Sequence, residues 1–195
     1  MTKRLLHNAQ VIDPEAGTVS RGDIRIENGM ITQVSQSPLS ANPNEHAVDC
    51  HGKYLAPGII DIGVKVCEPG ERHKESFKSA GLAAAAGGIT TMVTRPDTTP
   101  AIDSPETLEF IARRANQATP VNVMPMAALT KGRNGREMSE IGFLIDAGAI
   151  AFTDCDHVVS NPKVFARALS YACALGALVI AHPQDCLLYT SDAAD

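Results

Sequence analysis

Two stretches of sequence decide the fold: Gly58-Ile-Ile-Asp-Ile-Gly-Val-Lys-Val66 and Ile89-Thr-Thr-Met-Val-Thr94. Each is an apolar run of strand length, and each is followed by a longer segment with helical period, beginning near Lys74 and at Ser104. Because strands that alternate with helices form parallel sheets, we predict consecutive βα units over residues 56–185. Three further apolar runs continue the alternation, at 121–129, 149–153 and 177–182.

The preceding segment, residues 1–55, has a different pattern. Short segments alternate apolar and polar residues at Leu5–Asp13, Asp23–Glu27 and Gly29–Val34, with turn residues between them. We therefore predict an α/β protein in which a small β region precedes a partial barrel. The later segment carries five strand candidates, whereas a closed (β/α)₈ barrel needs eight strands and about 250 residues.

Composition limits the classes of partner. The chain has 195 residues, of which 44% are hydrophobic and 20% charged, enough for one substantial core. Its net charge of −5 gives no electrostatic reason to expect nucleic acid or an anionic membrane as a partner. We expect a cytoplasmic protein, because no sustained apolar run follows the basic start. The five cysteines include no Cys-x-x-Cys pair, so reduced thiols are expected.

A series of short motifs runs along the chain: Ala56-Pro-Gly-Ile-Ile-Asp-Ile62, Glu68-Pro-Gly-Glu71, Ala83-Ala-Ala-Ala-Gly-Gly-Ile-Thr-Thr91, Arg95-Pro-Asp-Thr-Thr-Pro100, Leu129-Thr-Lys-Gly-Arg-Asn-Gly-Arg-Glu137 and Ala151-Phe-Thr-Asp154. A chance match to one motif is easy, but a match to the series in this order is not. The series resembles the dihydroorotases, cyclic amidohydrolases of pyrimidine biosynthesis. The resemblance implies a β-sandwich built from both chain ends beside a metal-bearing barrel, with the active site at the C-terminal ends of the strands.

The first barrel strand departs from the family pattern at three positions. Active members read Asp-x-His-x-His-x-Arg-Glu-Pro-Gly, where the histidines hold zinc and the arginine holds the substrate carboxylate. This chain has Gly63, Lys65 and Cys67 instead, on one face of the predicted strand. Glycine offers no ligand, an ammonium repels a dication, and a thiol cannot replace the arginine fork. We therefore predict no catalytic residue and no cofactor in this chain, although zinc serves the active family.

Three more positions complete the predicted site. Where active members carry Met-Pro-Asn-Thr, this chain has Asp97, which we expect to repel an anionic substrate. By the resemblance, Asp154 and His182 match metal positions and form a vestigial or partial metal site. Two structural alternatives stay open: Asp154 caps its strand end, or His182 is a core histidine. A softer zinc site made by Cys67, Cys155 and His182 is a further alternative.

A buried carboxylate without a partner is costly. If the metal is lost, Asp154 needs another source of positive charge. We therefore predict an ion pair between Lys65 and Asp154, with Arg95 as a second possible source of charge. A large separation between the ammonium and the carboxylate would contradict this prediction.

The resemblance leads to one expected function and two alternatives. We expect a non-catalytic dihydroorotase-like protein, and such proteins typically assemble with aspartate transcarbamoylase, so an oligomer is expected. The first alternative is an active zinc-dependent amidohydrolase that uses Asp154, His182 and ligands from later strands. The second is a protein that binds a cyclic amide or carboxylate without turnover. The metal content of the protein distinguishes the expected non-catalytic function from the first alternative.

The last ten residues, 186–195, do not resemble the family, although a helix is expected after the fifth strand. We interpret them as an artefactual tail on a truncated reading frame, so neither Cys186 nor Tyr189 is assigned a role. The basic segment 131–136 is interpreted as a solvated loop, because its two glycines suit tight turns.

Overall fold

The structure is a computed structural model that describes residues 3–182. Contacts between residues divide the chain into two units, Met1–Pro57 and Gly58–Asp195. The sequence-based boundary lies between residues 55 and 56. The segment 186–195, interpreted above as a tail, lies outside the described residues. Among residues 3–182, no helix is long and apolar enough to span a membrane.

The first unit is a five-stranded sheet. Strand β1 (Lys3–Asp13) is central and pairs antiparallel with β2 (Thr18–Glu27), which pairs antiparallel with β3 (Met30–Ser35). Strands β4 (His46–Asp49) and β5 (Tyr54–Leu55) pair parallel with β1. The three predicted runs are therefore confirmed. The two short strands were not predicted because they offer too few residues to show a pattern.

The hairpin between β2 and β3 shows how local sequence sets this sheet. Its two-residue loop is Asn28-Gly29, and the φ angles of these residues are 53° and 80°. Two positive φ values are typical of the type I′ turn, whose twist matches that of paired strands and which favours Asn-Gly. The turn expected between the segments Asp23–Glu27 and Gly29–Val34 is therefore confirmed.

The second unit contains the predicted parallel strands. Strands β6 (Ile59–Val64), β7 (Ile89–Thr94) and β8 (Asn122–Pro125) pair in that order, and β9 (Ala151–Phe152) pairs with β10 (Leu178–Val179). A parallel bridge between Ala127 and Phe152 joins the two sets. Neighbours in sequence are thus neighbours in space, as in the wall of a (β/α)₈ barrel. The predicted partial barrel is confirmed.

Four helices connect these strands: α1 (Phe77–Ala86), α2 (Pro105–Ala118), α3 (Ile141–Asp146) and α4 (Pro162–Ala174). Ser76 caps α1 in a reciprocal box with Ser79, which satisfies backbone donors at the helix start. Ser104, where the second helical segment was expected to begin, is the N-cap residue of α2, but its side chain makes no cap hydrogen bond. Its hydroxyl instead lies 3.2 Å from that of Thr107.

The core of this unit lies between the strands and the helices. Its largest members are fully buried, so the helices are held by apolar contact along one face. These members include Phe77 from α1, Leu108 and Ile111 from α2, and Phe152 from β9. The packing fixes the strand ends, which carry the predicted site residues.

Candidate functional site

A cavity of about 380 Å³ lies at the C-terminal ends of the barrel strands. It is lined by Gly63 from β6, Arg95 after β7, Cys155 and Asp156 after β9, and His182 after β10. The remaining lining residues are Ile62, Met126, Thr153, Ile180 and Ala181. The structure therefore brings Gly63 and His182 together, whereas the described residues that line the cavity do not include Lys65, Cys67, Asp97 or Asp154.

Gly63 lies at an irregularity in β6. The register with β7 shifts between Ile62 and Val64, and Gly63 has a φ of 95°. A Cβ at this position would meet nothing within 4 Å, but a residue other than glycine rarely adopts such a φ. A metal-binding side chain at position 63 would therefore have room but would strain this backbone.

Beyond the irregularity, burial alternates along the chain. Val66 and Glu68 are buried, whereas Lys65 is exposed and Cys67 is half-buried. This is the alternation expected if positions 65 and 67 share the face opposite to the helix-facing core. Regular strand pairing ends at Val64, so Lys65 and Cys67 belong to the connection that follows β6.

Lys65 forms an ion pair with Asp97. Its Nζ lies 3.0 Å from Asp97 Oδ2, and Arg95 Nη2 lies 3.1 Å from the same oxygen. Only 4% of the Asp97 side chain is exposed, against 53% of Lys65. The hydrogen bond to Asp97 raises the pKa of Lys65 above its usual range, so the ammonium form is favoured.

The predicted ion pair between Lys65 and Asp154 is therefore wrong. Lys65 pairs with Asp97 because the loop after β7 directly neighbours the connection after β6. Two cations also contact Asp97, so its negative charge is balanced within the chain. The expectation that Asp97 repels an anionic substrate stays a prediction. A lysine at a metal-ligand position and an aspartate at a substrate position thus balance one another.

Asp154 has a different set of partners. Its side chain is buried, Oδ1 accepts a hydrogen bond from the Thr130 backbone N–H at 3.0 Å, and Oδ2 accepts one from the Thr130 hydroxyl at 2.5 Å. The same hydroxyl oxygen accepts a bond from the Gly135 N–H at 2.8 Å. The carboxylate therefore fastens the loop after β8 to the end of β9.

This geometry supports the structural alternative for Asp154, with Thr130 as the partner that sequence reasoning missed. Thr130 belongs to the motif Leu129-Thr-Lys-Gly, but a threonine in a polar loop gives no signal of its own. The assignment of Asp154 and His182 as vestigial metal positions stays a prediction. His182 is exposed at the cavity and is in contact with other groups of the protein.

A second group of charges continues from Arg95. Arg95 Nη2 lies 3.5 Å from Asp156 Oδ1, and Arg133 Nη1 lies 3.4 Å from the same atom. Cys155 lies beside them with a φ of 60°. Burial raises the pKa of the Cys155 thiol, and hydrogen bonds to Arg95 and Arg133 only partly offset this effect. The neutral thiol is favoured, and it is a poor zinc ligand.

The residues present do not fit the family's pair of zinc ions. Gly63 offers no donor, Lys65 is a paired ammonium, and both oxygens of Asp154 are engaged by Thr130. Among residues 3–182, no group of three His, Cys, Asp or Glu side chains is arranged to hold a metal ion. The alternative zinc site of Cys67, Cys155 and His182 is therefore wrong for this structure.

Glu68 anchors the connection that carries Lys65 and Cys67. Its buried carboxylate accepts hydrogen bonds from Arg114 Nε at 2.7 Å and from the Phe77 N–H at 3.0 Å. Arg72 Nε lies 3.6 Å away. Burial raises the pKa of Glu68, but the hydrogen bonds and the two guanidinium groups outweigh it and lower the pKa overall. The connection is therefore tied to both α1 and α2.

Comparison with curated proteins identifies relatives of about twice this length. The dihydroorotase of Trichlorobacter lovleyi is 34% identical over 181 residues, which cover 93% of this chain and 42% of the relative. The dihydroorotase of Syntrophotalea carbinolica is 37% identical and that of Aquifex aeolicus 35%, with 43% of each relative covered. The chain thus spans less than half the length of these relatives.

Comparison with solved structures supports the fold. The L-hydantoinase from Arthrobacter aurescens superposes with a TM-score of 0.77 at 20% identity, covering 93% of this chain and 41% of that chain. A crystal structure of a dihydroorotase superposes with a TM-score of 0.60 at 11% identity, covering 95% and 52%. The family model described as dihydro-orotase-like matches residues 52–194, a range that includes most of the segment 186–195, so the interpretation of that segment as a tail stays a prediction. With this match and the barrel wall described above, the chain belongs to the dihydroorotase-like family.

Proposed function

We propose that this protein is a non-catalytic member of the family, which supports pyrimidine biosynthesis as a structural partner of aspartate transcarbamoylase. The observation that carries the proposal is the ion pair between Lys65 and Asp97. It occupies a position where active members have a zinc ligand and one where they have a substrate contact. Both positions have changed together, and the new side chains stabilise one another.

Loss of the metal ligands removes the means of activating water. Hydrolysis of a cyclic amide at neutral pH needs a hydroxide, and zinc would supply it by lowering the pKa of bound water to about 7. The cation at position 65 cannot do this, because an ammonium has no acceptor orbital for water and is already paired with Asp97. The described residues therefore lack the family's nucleophile.

Substrate binding is weakened as well. An arginine fork binds a carboxylate through two parallel hydrogen bonds, and Cys67 at this position provides neither the charge nor the geometry. The loss of water activation and the loss of carboxylate binding are independent changes. Both remove something that catalysis needs, while the fold around them is retained.

The partner role follows from what is retained. The strand order and the packed helices of the barrel wall are intact, and so is the Glu68 anchor. A protein that keeps its fold and loses its chemistry still offers its surface to a partner. By the resemblance, that partner is aspartate transcarbamoylase, and the assembly is an oligomer.

A second candidate is an amidohydrolase with a single metal ion. Of the two residues expected for its site, His182 lines the cavity, whereas both oxygens of Asp154 accept hydrogen bonds from Thr130, so ligands from later strands would have to complete the site. This candidate requires metal in the longer protein, whereas the non-catalytic function does not. Zinc content and hydrolysis of dihydroorotate therefore separate the two.

The partner role is tested by expressing the full-length protein with the aspartate transcarbamoylase of the same organism. We expect the two to elute together in size-exclusion chromatography, with transcarbamoylase activity in the shared peak. The matched control is a Lys65→Met variant of the full-length protein, which removes the ion pair with Asp97 at an exposed side chain and leaves the helices unchanged, so it should elute with the transcarbamoylase as well. Separate elution of the unaltered proteins at micromolar concentration would contradict the partner role.

A further inference from the structure

We infer that Lys65 and Arg95 form a carboxylate-binding site, which Asp97 of the same chain fills. The two cations come from different loops, one after β6 and one after β7. Their nitrogen atoms lie 3.0 and 3.1 Å from a single oxygen, Asp97 Oδ2. Two cations that converge on one oxygen have the arrangement of an anion site with its ligand in place.

The internal ligand, Asp97, is much more buried than the two cationic residues that hold it. The Asp97 side chain is 4% exposed, whereas Lys65 is 53% and Arg95 is 30% exposed. Arg95 also lines the cavity of about 380 Å³. Solvent and small solutes can therefore reach the two cations, while the carboxylate that neutralises them is covered.

Some hydrogen-bonding capacity of the site is unused. Among the described residues, buried Asp97 Oδ1 and Arg95 Nε have no hydrogen-bond partner. An internal ligand attached to the backbone cannot satisfy every donor, because the loop restricts where its carboxylate lies. A free carboxylate has no such restriction and could engage Arg95 through two bonds.

The surrounding charges leave an excess of positive charge if Asp97 is neutralised. Ion pairs join three cations, Lys65, Arg95 and Arg133, to two carboxylates, Asp97 and Asp156. Without the Asp97 charge, Asp156 still pairs with Arg95 and Arg133, whereas Lys65 keeps no ion pair with any of the described residues. An external carboxylate then gains attraction from Lys65 and Arg95 and no longer competes with an internal one.

The test measures acetate binding to the chain and to Asp97→Asn, which keeps the size of the side chain and removes its charge. Acetate is titrated at constant ionic strength, and binding is followed by the amide chemical shifts of residues 65 and 95. We expect the dissociation constant to fall at least about tenfold in Asp97→Asn, because the high effective concentration of the internal carboxylate is lost. Adding Lys65→Ala to this variant should abolish the gain.

The matched control is Asp156→Asn. Asp156 also contacts Arg95, but its side chain is 71% exposed and does not contact Lys65, so its loss should leave acetate binding within about twofold of the unaltered chain. If Asp97→Asn does not fold, Asp97→Ser makes the same measurement. Equal acetate affinity in the unaltered chain and the folded Asp97 variant would overturn the inference. The outcome does not depend on catalysis or on a protein partner, so it is independent of the proposed function.

Discussion

Replacing Asp154 by asparagine tests whether this residue is a structural anchor. Asp154 as a residue is 4% exposed, and its carboxylate accepts two hydrogen bonds from Thr130, one from the backbone and one from the hydroxyl. Asparagine has almost the same shape, so it can keep its oxygen on the Thr130 N–H. Its amide then faces a hydroxyl oxygen that already accepts from Gly135. That oxygen has a second lone pair for the amide, but the Thr130 O–H loses its acceptor, and the hydrogen bond from the backbone N–H loses its charge assistance.

The expected cost follows from these contacts. A hydrogen bond to a charged group contributes about 1.5–3 kcal/mol, so Asp154→Asn should lower the free energy of unfolding by about 2–3 kcal/mol. Asp154→Ala removes both bonds and leaves the buried Thr130 N–H without an acceptor, so about 3–5 kcal/mol is expected. Thr130→Val removes only the hydroxyl. The double variant Asp154→Asn/Thr130→Val should show a coupling energy of about 1–2 kcal/mol.

The assay is urea unfolding of the chain, followed by circular dichroism. Asp156→Asn is the control, because this carboxylate is 71% exposed and should change stability by no more than about 0.5 kcal/mol. Equal stability of Asp154→Asn and the unaltered chain, or additivity of the two substitutions, would refute the anchoring role. It would also return Asp154 to the set of potential metal ligands.

Three further predictions concern stability. Folding lowers the pKa of Glu68, so the contribution of Glu68 to the free energy of unfolding is present above its unfolded-state pKa. That contribution is lost as the pH falls through the folded-state pKa. Glu68→Gln should therefore flatten the acid limb of a plot of unfolding free energy against pH. Folding raises the pKa of Lys65, so the contribution of Lys65 to the free energy of unfolding is present below its unfolded-state pKa and is lost as the pH rises through the folded-state pKa. Lys65→Met should therefore flatten the alkaline limb of the same plot. Leu108→Ala, in a fully buried position, should cost about 2–5 kcal/mol in urea unfolding, and a cost below about 1 kcal/mol would contradict the packing described for α2.

Much of the fold could be predicted because its signals are local. The alternation of strands with helices appears in runs such as Ile89–Thr94, and the turn at Asn28-Gly29 is fixed by two residues. The short strands β4 and β5 could not be predicted, since their pairing depends on β1, which is distant in sequence. Helix α1 begins at Phe77, near the predicted Lys74, because Ser76 caps it.

The candidate site was predictable only in part. The resemblance identified positions 63, 65 and 97 as changed, but which charges pair there depends on how the loops turn after each strand. Lys65 meets Asp97 from the neighbouring loop, not Asp154, whose carboxylate is used by Thr130. No periodicity or composition marks Thr130, because its role arises from a backbone N–H and a hydroxyl that meet one carboxylate. The irregularity at Gly63 was hidden for the same reason, since it depends on register with β7.

The pairing of Lys65 with Asp97 also changes the meaning of the substitutions. Taken singly, a lysine at a metal position and an aspartate at a substrate position each disrupt the family's site. Together they form an ion pair in which the buried carboxylate is neutralised, so the cost of burying Asp97 is reduced. In the proposed non-catalytic protein the two substitutions therefore compensate one another. Restoring asparagine at position 97 alone would remove the ion-pair partner of Lys65, and restoring histidine at position 65 alone would leave Asp97 paired with Arg95 only.

The central claim is that the site no longer binds the family's metal ions or activates water. Elemental analysis of zinc per chain tests it most directly, on the full-length protein purified without chelators and assayed with dihydroorotate. The dihydroorotase of Aquifex aeolicus serves as the positive control for turnover. We predict zinc far below one ion per chain and no hydrolysis above background. Stoichiometric zinc together with turnover would contradict the account and would show that other side chains complete the site.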